Sequence, residues 1–330
     1  MKEQTTMKNL VSKMGTLLAL IILCVILTLA SDKFLTYSNF VNIIKQASVN
    51  CLIASGMLMV LITAGIDLSV GFNCTLAACT MGVLMQRGLT NSFLLLLSAL
   101  LVSSAIGYIN GTLLTRLELP HPFVSTLGMK FVTWGLALYI TEATPIGFKN
   151  QGVDGILFLG SRTIKGFPIS FIAVLVVFTI IHIFLTKTAL GRQIYCVGGN
   201  LEATRLSGID SKKVLRIVYT LSGLLCGIAG IILAGRVSTA NGNAGMTFDT
   251  DAIAACIIGG ASFTGGKGTI WGTLIGALLI AVIRNGLNLL GAQTDIQYII
   301  IGLVIIIAVL IDVTRSKAEA KARKMAMANR

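Results

Sequence analysis

The feature that most constrains this chain is a series of apolar runs long enough, or nearly long enough, to cross a bilayer. A transmembrane helix needs roughly 20 apolar residues. Candidate spans occur at about 14–31, 46–66, 72–86, 91–115, 121–141, 168–186, 217–235, 250–265, 268–292 and 295–312. The third and the eighth are short enough to be half-helices or re-entrant segments. The sequence therefore predicts an all-α, polytopic integral membrane protein with about ten transmembrane helices, some of them broken or re-entrant.

The basic residues favour one orientation of these spans. With the N-terminus in the cytoplasm, most of the 26 lysines and arginines fall in inner loops and in the C-terminal tail, as the positive-inside rule requires. We expect residues 1–13 to be a cytoplasmic N-terminus, residues 14–312 the transmembrane domain, and residues 314–330 a basic cytoplasmic tail near anionic lipid. Both termini are then cytoplasmic. The net charge of +13 reflects this topology, so a nucleic-acid partner is not expected.

The longest polar interruption, Thr186–Arg216, separates two apolar runs and is much longer than a turn requires. Within it, Gly198–Ala203 is typical of a turn that enters a short helix. Asn200 is a good N-cap and Gly208 a good C-terminal stop for that helix. A helix this short is marginal alone in water, so it is expected to dock on a cytoplasmic partner. The alternative is a merely solvated surface helix.

A second interruption, Gly65–Gly71, places Asp67 between two apolar runs. An uncompensated charge near the membrane centre costs about 3 kcal/mol or more, so this carboxylate is expected to face protein, a cavity or water. Ser69 is positioned to cap the helix that follows. Two interpretations stay open: a plain cytoplasmic turn, or part of a pathway or gate.

Two cations, Lys130 and Arg284, lie inside apolar runs, where exposure to lipid is costly. Asn285 and Asn288 follow Arg284 by one and four residues, so that one polar stripe is predicted on this helix. With Asn73 and Asn110, these side chains would line a hydrophilic path for a polyhydroxylated solute. Hydrogen bonding between helices, within one subunit or across a dimer seam, is the equally open alternative. Glycines at four-residue spacing, among them those at 223 and 227 and at 268, 272 and 276, predict close helix packing.

Catalytic and metal-binding patterns do not assemble. Gly265–Thr269 resembles a phosphate-binding loop, but Ala261 and Gly268 occupy positions where that motif needs glycine and a hydroxyl residue. The histidines His121 and His182 form no set of nucleophile, base and orienting group. The seven cysteines are mostly in apolar segments and indicate no disulfide framework. The chain is therefore not expected to be an enzyme or to bind a cofactor or a metal.

Three blocks in order carry a resemblance to a known family. They are Gly65–Gly71 (GIDLSVG), Ile194–Ile209 (IYCVGGNLEATRLSGI), and Asp251–Ala255 (DAIAA) with Gly259–Ser262 and Gly265–Gly268. Together they resemble the permease subunits of bacterial ABC importers for simple sugars, with the ribose transporter permease as the closest type. The likeness extends from about residue 35 to 312.

The resemblance implies a location in the bacterial inner membrane and three partners besides lipid: a cytoplasmic ATP-binding subunit, a periplasmic sugar-binding protein and a second permease copy. It also implies that the loop at 187–213 contacts the ATPase. The coupling residues on this basis are Gly198, Gly199, Asn200, Glu202, Ala203, Arg205, Ser207 and Gly208. The candidate path residues are Asp67, Ser69, Asn73, Asn110, Asp251, Arg284 and Asn288.

Two other functions compete with the ATP-driven permease. A secondary transporter driven by an ion gradient would use carboxylates within spans, and Asp67, Asp249, Asp251 and Asp295 are its candidates. A membrane scaffold leaves the glycine clusters unexplained. Only 7% of residues are aromatic, which suggests that sugar selection resides in the binding protein and leaves ribose, allose, galactose and related furanones unresolved.

Overall fold

A computed structural model describes the backbone of residues 2–117, 119 and 121–328, and the side chains of residues 15–117, 119 and 121–314. The outermost parts of both predicted cytoplasmic termini therefore lie outside the described residues. Helices dominate the chain, and the four β-strands have two residues each. The elements in order are α1 (Lys2–Ala30), α2 (Tyr37–Ile62), α3 (Val70–Gln86), α4 (Ser92–Arg116), α5 (Pro122–Ile140), β1 (Ile146–Gly147), α6 (Asp154–Ser161), β2 (Thr163–Ile164), β3 (Phe167–Pro168), α7 (Ile169–Lys187), α8 (Ala189–Gly199), α9 (Leu201–Leu206), α10 (Ser211–Val237), β4 (Thr239–Ala240), α11 (Phe248–Ile258), α12 (Ile270–Leu289) and α13 (Thr294–Ala328).

Seven helices of the described chain, α2, α4, α5, α7, α10, α12 and α13, are long and apolar enough to cross a membrane. Two shorter apolar helices, Gly15–Ala30 of α1 and α3, add to them. With the 11-residue α11, these helices correspond to the predicted spans, and the third and eighth are indeed short. The prediction of an all-α polytopic membrane protein is confirmed.

Four helices extend well beyond the predicted spans. α1 begins at Lys2 rather than near residue 14. α2 begins at Tyr37 rather than near residue 46, because Thr36 caps it and Asn39 is satisfied inside the protein. α10 begins at Ser211 rather than near residue 217, after the side chain of Asp210 caps it by accepting a 2.9 Å hydrogen bond from the backbone N–H of Lys213. α13 continues beyond the predicted span to Ala328. In each case polar residues extend a helix whose apolar part was predicted.

Burial separates central helices from peripheral ones. The most apolar window of α2 is 89% buried and that of α10 is 72% buried, whereas the values for α5 and α13 are 22% and 11%. α2 and α10 therefore form the centre of the molecule. α7, α11 and α12 pack around α2, while α3, α4 and α6 pack around α10. The outer faces of α5 and α13 are left for lipid or another chain.

The order of elements repeats along the chain. A long central helix, a break, a short helix and two further helices occur first as α2 to α5 and again as α10 to α13. The short helix of each repeat packs on the central helix of the other, since α3 contacts α10 and α11 contacts α2. The breaks meet where Gly71 lies against Gly245: a Cβ at either residue would collide with the carbonyl oxygen of the other.

Glycines at four-residue spacing do permit close packing. A Cβ at Gly223 would collide with the backbone of α4, and one at Gly276 would collide with the backbone of α11. Gly272 makes a similar contact with Gly259. Gly268 departs from the predicted stripe, because it precedes α12 and has a φ of +152°. The packing prediction therefore holds for the glycines inside helices.

The molecule has two distinct ends. At one end, β1 pairs with β4 and β2 pairs with β3, and α6 lies beside them; this is called the β1 end. At the other end, α8 contacts the last residues of α2 and the loop 262–268, and α9 follows α8; this is called the α9 end.

Candidate functional site

The exposed helix at the α9 end is defined by its caps. Asn200 has an extended backbone, and its Oδ1 accepts a hydrogen bond of 2.9 Å from the backbone N–H of Ala203. Gly208 follows the helix in the left-handed region, with a φ of +78°, which favours glycine. The predicted N-cap and stop are therefore present, on a helix of six residues.

The predicted coupling residues are largely on the surface. Glu202, Arg205, Ser207 and six neighbours from Gly199 to Gly208 are exposed, and Leu206 is exposed by 89%. Thr204 is the buried residue of α9. α9 therefore presents exposed charged and apolar side chains together.

Gly198 and Gly199 differ from their predicted conformation and from one another. Both belong to α8, rather than to a turn, and the chain turns at Asn200. Gly198 touches the carbonyl oxygen of Ile62 so closely that a Cβ there would overlap it, whereas a Cβ at Gly199 would have nothing within 4 Å. Gly198 is thus a packing residue.

Hydrogen bonds connect α8, the end of α2 and the loop between α11 and α12. The Ile62 carbonyl at the end of α2 accepts a 2.8 Å hydrogen bond from the N–H of Gly266. The hydroxyl of Tyr195 donates a 2.8 Å hydrogen bond to the carbonyl of Gly268, and burial raises the pKa of this hydroxyl, so that it remains a donor. These three segments are therefore joined directly.

A cavity of about 480 Å³ lies under α9. The ends of α2 and α4 form one wall, with Thr63 and Leu114, and Val197 of α8 and Leu201 of α9 form another. Arg205 lines the mouth, where its Nε donates a 3.2 Å hydrogen bond to Ser211 Oγ. The α9 end consequently combines an exposed helix with a recess beside it.

The first break is a buried polar network. Asp67 is only 2% exposed, and its Oδ1 accepts hydrogen bonds from the Ser69 backbone N–H at 2.9 Å and from Ser69 Oγ at 2.6 Å. Asn110 of α4 donates to Ser69 Oγ at 2.9 Å and to Asp67 Oδ1 at 3.4 Å. The adjacent Ile66 carbonyl accepts a 3.1 Å hydrogen bond from Tyr219 of α10. Three of the predicted path residues are thus in one network.

Two details of that prediction are corrected. Ser69 makes no capping hydrogen bond to α3, because its hydroxyl is engaged by the carboxylate of Asp67. Asn73 does not join the network around Asp67; its Nδ2 donates instead to the carbonyl of Ser103 at 3.1 Å and links α3 to α4.

The second break carries two ion pairs. Lys130 Nζ of α5 lies 2.6 Å from Asp249 Oδ2 at the start of α11. Arg284 of α12 makes a bidentate contact with Asp251, with Nε–Oδ2 at 3.0 Å and Nη2–Oδ1 at 2.8 Å. Each in-span cation therefore has a carboxylate partner from another helix, which is how proteins accommodate charges away from water.

The polar stripe predicted around Arg284 is wrong as a continuous stripe. Its three members have separate partners: Arg284 pairs with Asp251, Asn285 exchanges hydrogen bonds with Asn39 of α2 at 2.7 and 3.0 Å, and Asn288 accepts a 2.7 Å bond from Gln297 of α13. These contacts join helices, as in the alternative interpretation.

Sequence reasoning did not place Lys130, Trp134, Asn243 and Asp249 among the candidate path residues. The structure brings them together where α5 passes the second break. Trp134 Nε1 donates a 2.9 Å hydrogen bond to Asn243 Oδ1 and stacks on the ring of Phe72 at 5.1 Å between centroids. The sequence offered one signal for this arrangement: Lys130 lies within one apolar run, and Asp249 lies beside another.

A membrane permease is the class that this architecture defines: broken helices around a two-fold repeat, charges paired between helices, and an exposed helix at one end. Residues 39–309 match the family described as "Branched-chain amino acid transport system / permease component". The chain belongs to this family of transport-system permease components, and the ABC-type importer is favoured over a gradient-driven carrier. As a family of transport permeases, it is not known for enzymatic activity.

Curated relatives are similar over nearly their whole length. The chain is 38% identical over 309 residues to the ribose import permease of Bacillus subtilis, covering 93% of this chain and 95% of the relative. It is 40% identical over 299 residues to the ribose import permease of Escherichia coli, covering 90% and 92%. It is 40% identical over 307 residues to the D-allose transport system permease of Escherichia coli, covering 92% and 93%. No solved structure matches the chain significantly.

Proposed function

We propose that this chain is the permease subunit of an ATP-driven importer for a monosaccharide of the ribose or allose kind. The observation that carries the proposal is identity of 38 to 40% over nine-tenths of the chain with permeases named for those sugars. The partners are a cytoplasmic ATP-binding subunit and a periplasmic sugar-binding protein. The α9 end faces the cytoplasm, in agreement with the positive-inside rule, and both termini are on that side.

In this proposal, α8 and α9 transmit the movement of the ATPase. The ATPase binds α9 and the residues around it, Gly199 to Gly208, with Leu206 as an apolar contact and Glu202 and Arg205 as charged ones. Gly198 and the Ile62 carbonyl are in direct contact, so displacement of α8 moves the end of α2. The hydrogen bonds of Ile62 with Gly266 and of Tyr195 with Gly268 carry the same movement to α11 and α12. The end of α2 and the loop between α11 and α12 are both reached by short paths.

The translocation path lies between two copies of this chain. α5 presents a face on which Gly128 and Gly135 have open space where a Cβ would be, and Phe131 is exposed by 58%. Small residues on an unpacked helix face permit a second helix to approach. The network of Asp67, Ser69 and Asn110 and the pair of Asp251 and Arg284 hold the two breaks beside this path.

Reconstitution of the chain with its ATPase and binding protein in proteoliposomes tests the proposal. We expect radiolabelled ribose or allose to accumulate only with ATP and all partners. Glu202→Arg and Gly208→Pro should abolish sugar-stimulated ATP hydrolysis while the chain still inserts, because the first reverses a charge on α9 and the second cannot adopt a φ of +78°. Glu142→Arg, an exposed charge reversal at the β1 end, is the matched control. Uptake by the chain alone, driven by an ion gradient, contradicts the proposal.

A further inference from the structure

The segment between β4 and α11 is non-helical and has exposed polar groups at membrane depth. Gly245 of this segment packs on Gly71 at the start of α3, inside the molecule. Asn241 and Asn243 are nevertheless exposed on the surface of the single chain. Lipid cannot satisfy an irregular backbone and two side-chain amides, so this surface must face water or another polar group.

Trp134 provides an aromatic surface next to these amides. It is twelve residues after Pro122, the first residue of α5, which places it about 18 Å along the helix and well within the membrane. Its indole is held by the 20° stacking on Phe72 and by the hydrogen bond to Asn243 Oδ1. Among the described residues, Nδ2 of Asn243 donates no hydrogen bond, so both of its hydrogens remain for a ligand.

One helical turn from Trp134 lies the partly exposed end of Lys130. Its side chain is 22% exposed, while that of its partner Asp249 is 1% exposed. The ammonium is also 6.0 Å from the centre of the Phe72 ring. Within the described part of the chain, Asp249 Oδ1 has no hydrogen-bond partner although it is buried. A buried acceptor left unused is costly, and the carboxylate holds Lys130 in place with only one of its two oxygens.

We propose that Trp134, Asn243 and Lys130 form a sugar-contacting subsite in the translocation path, with Asp249 as a positioning residue for Lys130. The indole face covers the C–H groups of a pyranose or furanose ring, the Asn243 amide donates to one hydroxyl, and the ammonium donates to a second. A small number of polar groups beside an aromatic surface is typical of small-molecule binding sites. This subsite rests on the proposed function, since it supposes that a sugar passes along this face.

The first test separates sugar movement from ATP hydrolysis in the reconstituted transporter. Trp134→Leu and Asn243→Ala should each lower sugar uptake by about tenfold, the effect of losing one good contact, while hydrolysis stimulated by the binding protein changes less than about twofold. Trp271→Leu replaces the other tryptophan, which packs near Phe178 and is 38% exposed, and should transport as the native chain does. Asp249→Asn should raise the sugar concentration for half-maximal uptake, and Asp249→Glu should restore it.

The second test needs no transport. In a Cys196→Ser background, which removes the exposed cysteine of the described residues, Asn243→Cys should react with a water-soluble thiol reagent in the assembled transporter. Leu101→Cys, exposed by 61% on the outer face of α4, should remain unreactive in lipid. An unreactive Asn243→Cys, or native uptake by Trp134→Leu, overturns the subsite while leaving the permease function intact. A native chain that accumulates no sugar with ATP overturns the proposed function, and the subsite with it.

Discussion

Replacing Asp251 by asparagine is expected to destabilise the protein because it leaves Arg284 as an uncompensated charge. The side chains of this pair are only 3% and 15% exposed, and two hydrogen bonds join them. Removing one partner of a buried ion pair typically costs about 3–5 kcal/mol. The exposed part of Arg284 lets it reach some polar surroundings, so we expect the lower part of that range, about 3 kcal/mol in the free energy of unfolding.

The assay is reversible denaturation of the purified chain in mixed micelles, followed by helical circular dichroism. The double variant Asp251→Leu with Arg284→Met should recover stability to within about 1 kcal/mol of the native chain, because an apolar pair replaces the ionic one without leaving a buried charge. Asp295→Asn, an exposed carboxylate at the start of α13, should change stability by less than about 0.5 kcal/mol. If Asp251→Asn unfolds like the native chain yet has lost transport, the carboxylate is a carrier of protons or ions and the structural argument for the pair is refuted.

Three further changes test the α9 end and the contact between the breaks. Gly198→Val should lower coupled ATP hydrolysis and destabilise the chain by about 1–3 kcal/mol or more, because its side chain overlaps the last carbonyl of α2; Gly199→Ala, with open space around it, should be neutral in both assays. Asn200→Ala should reduce sugar-stimulated hydrolysis by weakening α9 by about 1 kcal/mol, and Asn200→Asp should retain it; equal activity of the two variants contradicts a capping role. Gly245→Ala should lower the yield of folded chain through collision with Gly71, as measured by monodisperse elution after extraction.

Apolar runs predicted the helices well because hydropathy is a local property of the chain. The short third and eighth helices were visible as short runs, and the Asn200 cap followed from residue types within four positions. The start of α2 was missed for the opposite reason. Its polar residue Asn39 is satisfied by Asn285, 246 positions away, and no local pattern contains that information.

The candidate site shows the same limit. Asp67 and Ser69 are close in sequence, so a contact between them could be predicted. The Ser69 hydroxyl donates to Asp67 instead of capping α3, and it also accepts a hydrogen bond from Asn110 of another helix, which the local sequence does not indicate. Lys130 was recognised as an unusual residue, yet its partner Asp249 is 119 positions away. Pairing between distant helices is fixed by packing, which a single sequence does not reveal. The functional roles of these residues stay predictions.

The repeated order of helices gives α7 a role that its packing does not suggest. Counted from the start of the first repeat, five crossings precede α10, namely those of α2, α3, α4, α5 and α7. The second repeat therefore enters the bilayer from the side opposite to the first. α7 belongs to neither repeat, and its most apolar window is only 39% buried. With α7, the number of crossings between the starts of the two repeats is odd, and the two repeats have opposite directions. With an even number of crossings, the second repeat would enter the bilayer from the same side as the first, and the contact between Gly71 and Gly245 would be lost.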